Sequence, residues 1–101
     1  MQVRIKATKI EMTDAIRDYV QQKADMLEKY LGSYEAINCD VEVGMNSGKH
    51  HKGKIFKAEM NLQVPGELLR VEKEAEDLYK AIEKVKDHMA QAIVKYKEKR
   101  K

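Results

Sequence analysis

Three histidines and one cysteine are the residues of this chain best suited to metal binding or nucleophilic chemistry. His50 and His51 are adjacent within the polar stretch Asn46-Ser47-Gly48-Lys49-His50-His51-Lys52-Gly53. Neighbouring histidines rarely turn both rings toward one metal, so a solvated loop is expected. His88 has no ligand-type residue four positions to either side. Cys39 has the parity of a buried strand residue and reads as a small core side chain. Standing alone, it excludes an internal disulfide and a multi-cysteine zinc site. The sequence contains no Ser/His/Asp set, no Walker loop and no glycine-rich dinucleotide turn. The acidic run Glu72, Glu74, Glu76, Asp77 reads as a strand end and helix cap. The chain is therefore expected to be no enzyme and to need no cofactor or metal.

What remains is charge. The 101 residues carry 20 Lys+Arg against 17 Asp+Glu, a net +3 that does not by itself call for a nucleic-acid partner. Its distribution says more. Residues 46–58 contain no acid, and residues 80–101 hold eight basic residues against three acidic ones. Such asymmetry points to an anionic partner. The competing reading is a solvated helix end and a polar hairpin loop.

The elements that position these charges follow from hydrophobic spacing. Val3, Ile5 and Ala7 alternate with Arg4 and Lys6, as in a strand. Thr13 offers a helix N-cap with Asp14 in the first turn. Ile16, Val20, Ala24, Leu27 and Leu31 follow at helical spacing up to Gly32, which predicts one helix over 14–31. Ile37, Cys39, Val41, Val43 and Met45 form the apolar face of a second strand. Phe56, Ala58, Met60, Leu62 and Val64 form that of a third, antiparallel to it. Pro65-Gly66 is a turn, and Leu69 and Val71 fit a short fourth strand. Glu76 and Asp77 are expected to open a last helix of about 20 residues, whose stripe is Leu78, Ile82, Val85, Met89, Ile93 and Tyr96.

The order is β-α-β-β-β-α. One-sided strands and helices imply an α+β fold of a single domain, 1–101. In it a four-stranded sheet carries two helices packed on one face. Strands 1 and 2, joined through a helix, should be parallel if adjacent. No apolar run approaches the roughly 20 residues of a membrane span. The N-terminus alternates and lacks the apolar block of a signal peptide. The expected setting is cytoplasmic, with no membrane partner.

The outer sheet face would show Asn38, Asp40, Glu42, Lys57, Glu59, Asn61 and Gln63. With no exposed ring to stack bases, it is a poor RNA-recognition sheet. The helices are better suited. At about 100° per residue, Lys80, Lys84, His88, Gln91 and Lys95 fall on one flank of the last helix, and Lys86 on the other. Lys23 and Lys29 lie along the first helix, with Met26 between them. Lysines along a helix edge suit phosphate contact, although they also fill solvent positions on most helices.

Gly66 followed by Glu76-Asp77-Leu78-Tyr79-Lys80-Ala81-Ile82-Glu83 resembles the glycine turn and Glu/Asp-Asp-Met-Tyr-x-Ala-Ile-Asp motif of ribosome hibernation promoting factors. These are also called ribosome-associated inhibitors or sigma-54 modulation proteins. Ile10-Glu11-Met12-Thr13, Ala15-Ile16-Arg17, Val20, Lys23, Leu27-Glu28 and Tyr30 agree with it, so the resemblance spans the chain. It implies a fold similar to a double-stranded RNA-binding domain. It also implies binding to the small ribosomal subunit and its ribosomal RNA, in the channel used by mRNA and tRNA. Translation would be inhibited and ribosomes held inactive under stress. The family's basic positions fall on Lys23, Lys29 and Lys95. Met26, His88, Gln91 and Val94 stand where the family is usually basic, and Lys80, Lys84 and Lys86 could compensate. The chain resembles a short form without tail, or the first domain of a long form, and is expected to be a monomer. The alternative is a protein-interaction module that binds an acidic partner through the same lysine-bearing helical face.

Overall fold

Strand alternation and helical stripes set the layers. In the computed structural model, which describes residues 1–46 and 55–100, β1 (Gln2–Thr8) is followed by α1 (Asp14–Met26) and α2 (Glu28–Leu31). Then come β2 (Asn38–Asn46), β3 (Ile55–Val64), β4 (Glu67–Ala75) and α3 (Leu78–Lys99). The strands form one sheet in the order β1-β2-β3-β4. β1 runs parallel to β2, and the other two pairings are antiparallel. Cys39, Val41, Val43, Ala58, Met60, Leu62, Val64 and Leu69 turn to one side of the sheet. There they meet Ile16, Val20, Ala24, Leu27, Leu31 and the predicted stripe of α3, all buried. Each buried Val, Leu, Ile or Met side chain contributes about 1.5–3 kcal/mol by leaving water. The α+β architecture with both major helices on one face is as the sequence implied.

The caps are side-chain bonds. Thr13 Oγ1 accepts from the Ile16 N–H at 3.1 Å. The Asp77 carboxylate accepts from Tyr79 and Lys80 N–H at 2.8 and 3.1 Å. At the other end of α3, Tyr96 donates its hydroxyl to the Pro65 carbonyl at 2.7 Å. The Arg100 guanidinium lies 4.6 Å from the Tyr96 ring centre. Gly66, with φ +79°, takes the second position of the Pro65-Gly66 turn, where a left-handed residue is required.

Several expectations are corrected. The predicted 14–31 helix is interrupted at Leu27, whose N–H bonds three residues back to Ala24 and tightens the turn before α2 resumes. Asp77 is the helix cap that the acidic run suggested, with Glu76 before it, and the first helical residue is Leu78. The fourth strand spans nine residues because backbone pairing with β3 continues from Val64–Glu67 to Phe56–Ala75 whatever the side chains. Ile37 precedes β2 and is 62% exposed, at an open cleft beside Met1, Leu31 and Tyr34. Asn46 belongs to β2 and not to the loop; the rest of the predicted loop, with His50 and His51, lies outside the described residues. Among the described residues, no helix is long and apolar enough to cross a membrane.

Candidate nucleic-acid interface

Much of the outer sheet face is paired across its strands. Register aligns Arg4, Asp40, Asn61 and Arg70 in one row across the strands, and Lys6, Glu42, Glu59 and Glu72 in the next. Arg4 grips Asp40 through both carboxylate oxygens at 2.6 and 3.0 Å. Arg70 reaches Glu59 at 3.0 Å, while Thr8 bonds Glu42 and Asn46 bonds Glu74. Asn61 also donates to Glu59, and together with the Glu72 and Arg70 interactions this holds the Glu59 carboxyl below its ordinary range. Phe56 packs half-buried against the core, so no ring is offered to a base from this face. Cys39 is fully buried, and burial pushes its thiol up to about 12, which removes it as a nucleophile.

The helical side divides the candidate residues into two groups. Lys80, Lys84, His88, Gln91 and Lys95 are all exposed along the flank of α3 that faces β4. Lys80 and Lys84 line a groove with Glu74 and Ala75. His88, Gln91 and Lys95 line the next one with Arg70, Val71 and Lys73. Lys84 Nζ donates to the Glu74 carbonyl at 3.3 Å. Lys29, on α2, lies with its ammonium 5.2 Å from the Tyr30 ring centre.

Lys23 and Lys86 belong to a different place, the crevice between α1 and α3. Glu83 binds both, at 2.7 Å to Lys23 and 3.1 Å to Lys86, and Lys86 also meets Asp87 at 2.7 Å. The two lysine side chains are only 15% and 12% exposed. The Tyr19 hydroxyl donates to Glu83 at 3.3 Å, and its ring meets Tyr79 edge-on at 4.9 Å. Hydrogen bonding to Glu83 raises the Lys23 pKa, hydrogen bonding to Asp87 chiefly raises that of Lys86, and the two lysines lower that of Glu83. Lys86 lies on a different flank of α3 from Lys80 and Lys84, as helical spacing placed it, and Glu83 and Asp87 of its own helix engage it there; only the Lys23–Glu83 bridge is brought together by tertiary packing. Met26 is half-buried, while Val94 is 42% exposed on α3.

The α3 flank thus presents exposed lysines that no carboxylate holds among the described residues, and comparison with known proteins gives it a context. Residues 3–101 match the family described as sigma 54 modulation protein / S30EA ribosomal protein. The chain is 34% identical to the ribosome hibernation promoting factor of Azotobacter vinelandii, over 98% of this chain and 85% of that protein. It is 31% identical to the ribosome hibernation promotion factor of Picosynechococcus sp., over 98% of this chain and 50% of that protein. The chain thus spans about half the length of some curated relatives and most of others. The Thermus thermophilus Protein Y N-terminal domain superposes with a TM-score of 0.81 at 32% identity, covering 95% of this chain and 99% of that one. A structure described as a ribosomal subunit interface protein from Coxiella burnetii shares the fold, with a TM-score of 0.77 at 17% identity over 97% of this chain and 99% of that one. With the fold and nearly every residue matched, the chain belongs to the sigma 54 modulation protein / S30EA ribosomal protein family.

Proposed function

We propose that this chain is a non-enzymatic, cytoplasmic hibernation factor. It binds the small ribosomal subunit through ribosomal RNA in the mRNA/tRNA channel, inhibits translation and stabilises inactive ribosomes under stress. The observation that carries this reading is the α3 flank. Among the described residues, Lys80, Lys84 and Lys95 there engage no carboxylate, whereas Lys23 and Lys86 in the neighbouring crevice are both held by Glu83. Family membership supplies the partner class. Lysines are flexible point charges suited to phosphates and poorly suited to bidentate base reading, so RNA shape and backbone are the expected target.

Sedimentation with isolated small subunits tests the proposal directly. The protein should co-migrate with them, and prior loading of the subunit with mRNA and tRNA should exclude it. Replacing Lys84 and Lys95 by Gln should flatten the log–log salt dependence by roughly 0.9 or less per lost phosphate contact. Absence of co-migration would overturn the reading. Co-migration with an unchanged slope in the double variant would move the contact surface elsewhere, Lys29 being the next residue to replace.

A further inference from the structure

Lys73 stands within β4, and the register of the strand fixes which side of the sheet it faces. In the β3–β4 register it lies opposite Ala58, which is fully buried, so its side chain stands on the helix-covered side of the sheet. There it lines one groove with His88, Gln91 and Lys95 of α3. None of these four side chains makes a hydrogen bond or ion pair among the described residues. The other cation in the groove, Arg70, is occupied by Glu59.

The backbone beside it is also open. β4 is the last strand of the sheet. Its two-residue turn is closed by the Val64–Glu67 pair, so Leu69, Val71, Lys73 and Ala75 bond to β3. Leu68, Arg70, Glu72 and Glu74 therefore direct their N–H and C=O groups outward. The Lys84 bond to the Glu74 carbonyl fits this alternation. Along the Arg70–Glu72 stretch, outward N–H groups thus adjoin unengaged lysine side chains. Backbone N–H groups and lysines are both donors that phosphate oxygens accept from.

We propose that the groove between β4 and α3 is a phosphate-contact subsite in which Lys73 acts together with Lys95, His88 and Gln91 on the backbone of bound RNA. The assignment rests on the RNA-binding reading above and extends its contact surface from α3 onto the sheet edge. Glu72, the one acid lining the groove, is outnumbered by Lys73 and Lys95, with Arg70 already paired to Glu59.

The test is a salt titration of co-sedimentation with small ribosomal subunits. Lys73→Gln should flatten the log–log slope by roughly 0.7–0.9, the worth of one phosphate contact. Lys73→Arg should restore it, which a loss of folding would not allow. Lys6→Gln, the same charge change on the outer face of β1, should leave the slope as in the wild type. If Lys73→Gln behaves as Lys6→Gln does, the subsite is overturned while the RNA-binding reading stands. If the wild type fails to co-sediment at all, that reading falls and the subsite with it. Displacement of the subunit by polyglutamate as readily as by RNA of equal charge would assign the groove to acidic polypeptide and overturn the proposal.

Discussion

Gly44 sits within β2, opposite Thr8 of β1 and Lys57 of β3. A Cβ at this position would stand 2.3 Å from the Thr8 carbonyl oxygen, a backbone atom that cannot swing aside. Two effects of Gly44→Ala oppose one another. Fewer unfolded conformations would stabilise the fold by about 0.4–1 kcal/mol. Overpacking against a fixed neighbour costs about 1–3 kcal/mol. The short distance decides for the second, so the variant should be less stable. For a domain of this size each kcal/mol corresponds to a fall of about 4–8 °C in Tm. Thermal unfolding followed by circular dichroism measures it, and an unchanged or raised Tm would show that β1 can retreat without loss. Gly44 attracts no notice in the sequence, since a glycine between Val43 and Met45 looks like a gap in the alternation. Only the parallel approach of β1 makes it a requirement.

Between α1 and α3 the connection is ionic as well as apolar, and its pH dependence has a definite sign. Glu83 faces Lys23 and Tyr19 from α1, and Lys86 from its own helix, which Asp87 also meets. The folded state lowers the Glu83 pKa from 4.5, chiefly through the hydrogen bond with Lys23. Its stabilisation is therefore present above the unfolded value and is lost as pH falls through the lower folded one. Lys23 and Lys86 are raised from 10.5, so their share is present below that value and is lost as pH rises through the folded one. Glu83 is 38% exposed, which limits the pairs to the scale of surface bridges, about 0.2–1 kcal/mol each. Glu83→Gln should thus lower stability by up to about 1–2 kcal/mol at neutral pH. The difference from wild type should narrow as pH falls below 4.5 and through the lower folded value. Urea unfolding at pH 7 and pH 3 checks this, and an equal deficit at both would assign the loss to packing. Period-2 and period-3.6 patterns made the elements themselves legible: the stripe from Leu78 to Tyr96 is buried as its spacing requires. The same patterns could not show that Lys86 and Lys23 share a carboxylate, because that contact joins residues 60 positions apart. Nor could they show the full length of β4, where Lys73 occupies an inward position that alternation reserves for apolar residues.

The surfaces that the fold leaves uncovered decide whether the chain associates with itself. Both long helices turn their apolar stripes onto the sheet, and the opposite sheet face is covered by cross-strand pairs such as Arg4–Asp40 and Arg70–Glu59. A stable homodimer buries about 1,200–2,000 Å² around an apolar centre. Among the described residues, the large apolar side chains that remain exposed are Met1, Ile37, Leu68, Tyr79 and Val94. They are dispersed. Met1 and Ile37 share a cleft at one end of the sheet, Leu68 is in β4, Tyr79 packs edge-on against Tyr19, and Val94 stands on α3. Strand addition is the other route to a dimer. β4 has an open edge, yet Arg70, Glu72 and Glu74 project beside its outward-facing backbone groups, and Lys84 already occupies the Glu74 carbonyl. Charged side chains beside the edge and a carbonyl already engaged discourage addition of a second strand. The chain of residues 1–101 should therefore be a monomer, and binding to ribosomes should saturate at one copy per small subunit. Light scattering at micromolar concentration measures the first expectation. A dimer mass that persists on dilution would overturn it, and loss of that dimer in a Leu68→Lys variant would locate the interface at the β4 edge.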